Sequence, residues 1–310
     1  MKLLTKTCFI FLIILAGCGV KDSSNEESKS KPKKKQTAPI KHSFDYKPCT
    51  PTQGELMAVI ELGSLGLNYF IVEIDNDRCW ALKKSAFGRS NFIYGVNTNS
   101  EIVSNIREFR NEIIDFGITK NNIHVIASSS VVKVEDIPAL NNQLTKLGLT
   151  IKSISAKDEA RYALLSTVPK EFIEESFIVD IGSGNTKLAW VESGDTLSLE
   201  IHGSKYFLSD VQDTTVFREV RDALLQVPEK NRNLCFVLGG MIYEFVKDKV
   251  NESDGRYFVL DEPGEYPTDN EKLRAANVIY NALYLEPTYS YIFDSESNFS
   301  IGYLISLKAN

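Results

Sequence analysis

Phe177-Ile-Val-Asp-Ile-Gly-Ser-Gly-Asn-Thr-Lys-Leu-Ala-Trp-Val191 is the stretch on which the reading of the fold turns. Phe177–Asp180 is an apolar run closed by an acid, Ile181–Asn185 is a turn carrying two glycines, and Thr186–Val191 reads as a second strand. Leu197–Ile201 supplies a third. Apolar runs broken by glycine turns predict an antiparallel meander. The same design stands earlier in the chain. Leu56–Ile60 is an apolar run, Glu61-Leu-Gly-Ser-Leu-Gly66 a turn, and Asn68–Ile74 a second run. Asp75-Asn-Asp77 turns the chain again into Cys79–Leu82. Each meander has an acidic residue at its first turn.

Helical and strand patterns follow each copy. Ile102, Ile106, Phe109, Ile113 and Phe116 recur at three- and four-residue steps, one face of a helix that Gly117 would end. Ile123–Ile126 and Ile151–Ile154 read as strands, and Asp136–Leu147 and Asp158–Ser166 as helices. Leu234–Leu238 is a further strand, Asn270–Leu283 a helix and Tyr289–Phe293 a strand. The repeat predicts a duplicated α/β domain, with lobes over 48–175 and 176–310.

The first residues carry an address. Lys2 and Lys6 precede the apolar run Phe9–Leu15, which closes on Leu15-Ala-Gly-Cys18. A charged start, an apolar core too short to span a bilayer and a small-residue cleavage site predict a secretory signal over 1–17. A cysteine directly after small residues resembles the lipobox of bacterial lipoproteins. That resemblance implies a lipid on Cys18 and attachment to a membrane of the bacterial cell envelope. Gly19 fits sorting to the outer membrane, facing the periplasm. Residues 18–47, rich in Ser, Glu, Lys and Pro, read as a disordered tether. The run Lys31-Pro-Lys-Lys-Lys35 suits either anionic headgroups or a solvated spacer.

The net charge of −6 over 310 residues, with no basic stripe, argues against a nucleic-acid partner. Cys49 and Cys79 flank the first hairpin at the same end of the sheet, which allows a disulfide between them in an oxidising compartment. Cys235, inside an apolar strand, reads as a buried thiol. His42, His124 and His202 have no ligand spacing.

Two three-stranded meanders, each followed by helices, resemble the actin, sugar-kinase and Hsp70 superfamily. That implies actin-like (ribonuclease H-like) lobes with a ligand cleft between them. The local words resemble one branch, the exopolyphosphatase/guanosine pentaphosphate phosphatase (Ppx/GppA) family. They are Glu61-Leu-Gly-Ser64 with Tyr69–Ile74, Ile126-Ala-Ser-Ser-Ser130, Ser153-Ile-Ser-Ala-Lys-Asp-Glu-Ala-Arg161, Val179-Asp-Ile-Gly-Ser-Gly-Asn-Thr186 and Val237-Leu-Gly-Gly-Met241.

Hydrolysing a phosphoanhydride takes backbone N–H donors around the anionic oxygens, and glycine turns supply them. It also takes a carboxylate to orient or deprotonate water, and a metal such as Mg²⁺ can neutralise developing charge. The resemblance implies Glu159 as the base and Glu61 and Asp180 as metal carboxylates. It implies phosphate turns lined by Gly63, Ser64, Gly182, Ser183, Gly184, Asn185 and Thr186. The ligand it implies is polyphosphate or a phosphorylated small molecule.

The chain also departs from that pattern. Glu61 stands where the family has Asp, and Leu65-Gly66 where it has Asn-Ser. Lys187 replaces a Glu, and Val132 an Arg. Rival readings stay open at this level: Glu159 with Asp158 suits a first helical turn by dipole alone, and Asp180 suits a turn. Lys187 is either a phosphate-binding cation or an outward-facing strand residue. The two functions left are an anchored phosphoanhydride hydrolase and a catalytically silent actin-like module working through protein partners.

Overall fold

The computed structural model describes residues 44–64, 66–89, 99–132, 137–253, 255–284 and 290–308. The signal segment, Cys18, the tether up to residue 43, Leu65 and the start of the Tyr289 strand lie outside them, and nothing is described of the Val132 side chain. Residues Pro39–Asn310 cluster as one unit. Among the described residues no helix is long and apolar enough to cross a membrane.

The first sheet contains β1 (Glu55–Leu62), β2 (Gly66–Ile74), β3 (Trp80–Arg89), β4 (Ile123–Ala127) and β5 (Ile151–Ser153). Its order is β3-β2-β1-β4-β5, antiparallel through the meander and parallel from β1 outward. The helices between are α1 (Asn99–Asp115), α2 (Ser129–Val132) and α3 (Ile137–Thr145), with α4 (Ala156–Thr167) after β5.

The second sheet contains β6 (Ser176–Ile181), β7 (Asn185–Glu192), β8 (Asp195–His202), β9 (Leu234–Leu238), β10 (Tyr257–Val259) and β11 (Ser290–Asp294). Its order, β10-β11-β9-β6-β7-β8, repeats the first with β10 added at the edge. Its helices are α5 (Asp213–Gln226), α6 (Gly240–Asn251) and α7 (Glu271–Leu283), and the last helix is α8 (Phe299–Leu307). The architecture is α/β, two mixed sheets that repeat one strand order, with helices on their faces.

Strand periodicity divides the core into three layers. Ala58, Ile60 and Leu62 face α1 and α3, while Phe177, Val179, Leu188 and Trp190 face α5 and α7. The remaining faces, with Met57, Val59, Ile178, Ala189 and Phe236, enclose α4 and α8 between the two sheets. Those two helices touch closely: a Cβ on Gly302 would lie 1.8 Å from the Tyr162 carbonyl oxygen. β6 and β7 are therefore covered on both faces, as strands of a central layer must be. Lys187, on the β7 face covered by α4, is accordingly buried.

Two ties hold the far end. Cys49 and Cys79 are joined in a disulfide. Arg256 is buried over the Trp80 ring at 3.9 Å and forks onto Asp294 at 2.6–3.0 Å, and it also donates to the Ser166 carbonyl at 2.6 Å. Phe44 packs its ring edge-on against Phe236 and Tyr257. Cys235 is wholly buried, and burial pushes its thiol up. Between α7 and β11, Tyr280 meets Tyr284 and Tyr291 edge-on, and Tyr284 stacks on Tyr291.

Candidate active site

Both meander turns open into one cleft of about 340 Å³. In the first, the Gly63 N–H donates to the Gly66 carbonyl at 2.8 Å; in the second, the Gly182 N–H donates to the Asn185 carbonyl at 3.1 Å. The two turns meet closely. A Cβ on Gly184 would lie 3.0 Å from the Ser130 Cβ and 3.6 Å from the Ser64 Oγ. Gly239, the N-cap of α6, and Gly240 and Met241, its first residues, complete the wall. Gly239 sits at φ +117°, where only glycine is at ease, and gives α6 no side-chain cap. The start of that helix therefore borders the cleft with no side-chain cap, a setting that favours anions.

Of the residues named from sequence, Glu61, Gly63, Ser64, Asp180, Gly182, Ser183, Gly184 and Asn185 line this cleft. Two do not. Thr186 is fully buried on the opposite face of β7, and its Oγ1 has no hydrogen-bond partner among the described residues. Glu159 is 0% exposed and lies behind the cleft wall, beneath Lys187, which is 5% exposed and does line it.

The local reason is helix capping. Ser155 Oγ accepts from the Asp158 N–H at 3.1 Å and donates to the Asp158 carboxylate at 2.8 Å. That spends Asp158 on the helix start, and the next residue, Glu159, turns inward. Glu159 Oε1 accepts from the Ser129 N–H at 2.5 Å, and Oε2 accepts from the Ser129 hydroxyl at 3.0 Å and pairs with the Lys187 ammonium.

Lys187 is the centre of the charge cluster. On β7 it stands directly opposite Asp180 on β6 and Glu200 on β8, so all three share the face turned toward α4. Burial works against its charge, but Asp180, Glu159 and Glu200 outweigh burial and hold the ammonium above the usual lysine range. Burial raises the Glu159 carboxyl, with Lys187 and the Ser129 N–H pulling it down. Glu61 is pushed up to about 7 by burial, against a hydrogen bond from Ser300; Glu159 and Asp180 push it further. Asp180 is the half-buried carboxylate facing the cleft.

The resemblance implies Mg²⁺ held by Glu61 and Asp180, and the donors can be tested for it. Both Glu159 oxygens are engaged, Glu61 Oε2 accepts from Ser300 Oγ at 2.8 Å, and an ammonium sits among the carboxylates. A hard divalent cation needs several oxygens free at once. Among the described residues no group of three His, Cys, Asp or Glu is placed to hold a metal. The donor set is that of an ion-paired cluster.

Some partners had no sequence signal. Ser300 reaches Glu61 from 239 residues away, and Glu200 accepts from the Asn185 amide at 2.7 Å. Ser129 lies in the serine run already singled out, but nothing local says that it holds Glu159.

No family model matches this sequence, and no curated protein matches it. Solved structures do. An Aquifex aeolicus member of the Ppx/GppA family is similar at 17% identity and a TM-score of 0.62, over 83% of this chain and 99% of that one. The exopolyphosphatase of Cytophaga hutchinsonii is similar at 14% and 0.62, over 82% and 98%. An exopolyphosphatase-like protein is similar at 12% and 0.61, over 83% and 98%. With nearly the whole of each neighbour covered, the chain has the two-lobed fold of the Ppx/GppA exopolyphosphatases.

Proposed function

We propose that the cleft takes polyphosphate or a related phosphoanhydride, and that the chain is an exopolyphosphatase-like hydrolase. The observation that carries this is the meeting of glycine turns from both sheets, with the uncapped start of α6, around a cleft lined by the carboxylates of Glu61 and Asp180. Backbone N–H groups around Gly184 and Gly240 would hold non-bridging phosphate oxygens, which a short flexible backbone can approach closely. Asp180 is placed to orient the attacking water. Glu159 positions Lys187 from behind, and Lys187 presents positive charge to the cleft.

One observation favours a second reading, a catalytically silent module that binds phosphate chains or protein partners. The carboxylate that the resemblance makes the base, Glu159, is sealed against Ser129 and Lys187. Orthophosphate release from long-chain polyphosphate separates the two, measured for the full chain beside Asp180→Asn and Glu159→Gln. Release lost in Asp180→Asn supports the hydrolase. A folded chain that binds polyphosphate and releases nothing supports the silent module, and no binding at all removes the phosphate readings and leaves a module that works through protein partners.

The same reading extends to location: a lipoprotein attached through Cys18 to the outer membrane of a bacterial envelope, facing the periplasm. The signal pattern over 1–17 supports it, and the Cys49–Cys79 disulfide suits an oxidising compartment. Mass spectrometry of protein from its native membrane tests it. A mature chain beginning at an acylated Cys18 is the expected result; an unprocessed Met1 or an unmodified Cys18 would overturn it.

A further inference from the structure

Three carboxylates converge beside the cleft, and the cation among them belongs to the chain itself. Glu159 comes from α4, Asp180 from β6 and Glu61 from β1, and the Lys187 ammonium reaches in among them from the middle strand of the meander. Lys187 is 5% exposed, Glu159 0% and Glu61 7%, so this is no solvated surface pair. Each carboxylate besides Asp180 also has a protein hydrogen bond: Glu159 from Ser129, Glu61 from Ser300. A divalent cation at the same place would need to displace the ammonium. Both would otherwise sit a few ångströms apart in a poorly solvated site, where like charges repel strongly.

We propose that Lys187 is a built-in replacement for a metal cation: the Glu61–Glu159–Asp180 cluster binds no divalent metal, and the cleft takes its phosphate ligand without one. The second part rests on the phosphoanhydride reading given above; the first stands without it. The chemistry is consistent with the neighbouring donors. A lysine ammonium is a compact point charge with three N–H donors and suits phosphate as well as carboxylate. A single strand position thus supplies the positive charge that would otherwise be recruited from solution, and the cleft is charged as soon as the chain folds.

Direct metal binding is the test, with a readout independent of turnover. Mn²⁺ is titrated into the full-length protein and free Mn²⁺ is followed by its electron paramagnetic resonance signal, with melting temperature recorded alongside. The wild-type chain is expected to leave the signal and its melting temperature unchanged. Lys187→Ala frees the three carboxylates and is expected to take up Mn²⁺ stoichiometrically, with a melting temperature that rises on adding metal. Stoichiometric Mn²⁺ uptake by the wild type, lost in Asp180→Asn, overturns the proposal whether or not the lysine variant folds. A folded Lys187→Ala that ignores Mn²⁺ also overturns it, because the lysine would then not be filling a cation's place.

Polyphosphate binding in EDTA and in Mg²⁺ tests the second part. Affinity in EDTA no weaker than in Mg²⁺ is expected, and a strict Mg²⁺ requirement contradicts the proposal. Absence of binding under both conditions counts against the phosphoanhydride reading instead, and leaves the Mn²⁺ titration to decide the role of Lys187.

Discussion

Glu61→Gln should remove a specific slope from the pH dependence of stability. Glu61 is buried at the end of β1, beside Glu159, Asp180 and Lys187, and accepts from Ser300. Burial, the largest influence, lifts its carboxyl from an ordinary 4.5 to about 7. An acid with a raised folded pKa keeps its proton longer in the folded chain than in the unfolded one. Its stabilisation is therefore complete below 4.5 and is lost as pH rises through about 7. Each pH unit between those values costs about 1.4 kcal/mol, or about 3 kcal/mol over the interval. In a domain of this size that corresponds to roughly 6–12 °C in melting temperature. Glutamine keeps the shape and can still accept from Ser300, but it does not titrate.

The assay is urea unfolding of wild type and variant in EDTA, at steps between about pH 5 and about pH 8. Taking the difference between the two proteins cancels most of the contribution of Glu159 and Lys187, which both retain. The variant's relative stability should grow by about 3 kcal/mol from the acid end to the alkaline end. A difference that stays constant, or shrinks as pH rises, would show that Glu61 is not the buried, proton-retaining group described.

Three further outcomes are expected. Lys187→Met leaves Glu159 buried without its partner and should cost about 3–5 kcal/mol in chemical unfolding, with much of this recovered when Glu159→Gln is added. Cys79→Ser opens a loop whose ends are 30 residues apart and should cost about 3–4 kcal/mol, which a reductant should reproduce in the wild type but not in the variant. Gly302→Ala places a methyl 1.8 Å from the Tyr162 carbonyl oxygen, forcing α4 and α8 apart. A loss of about 3 kcal/mol is expected, and an unchanged melting temperature would contradict the close helix contact.

Much of the architecture was legible because it is local. Glycine turns between apolar runs mark both meanders, and the period of Ile102, Ile106 and Ile113 marks the face of α1 that is buried. Strand ends were less visible: β3 runs on to Arg89, well past Leu82, because pairing with β2 holds residues such as Lys84 and Ser85 that carry no apolar signal. The glycine turns, Glu61 and Asp180 could be placed at the cleft from their motifs alone. The fate of Glu159 and Lys187 could not. Which way a first-turn glutamate points depends on the capping pair beside it, and whether a strand lysine meets solvent depends on a helix packed over that strand. Both are decided by α4 crossing β7, a contact between distant parts of the chain. Ser300 was invisible for the same reason, since the packing of α8 onto β1 brings it to Glu61.

Polyphosphate affinity of the full chain, compared with Gly184→Val in EDTA, tests the cleft most directly. A valine side chain at 184 would grow from a Cβ already 3.0 Å from the Ser130 Cβ, into the gap between the two turns. Binding by the wild type that is lost in a folded Gly184→Val is the predicted result. Equal binding by both proteins, or none by the wild type, would contradict a phosphate site at the meeting of the glycine turns.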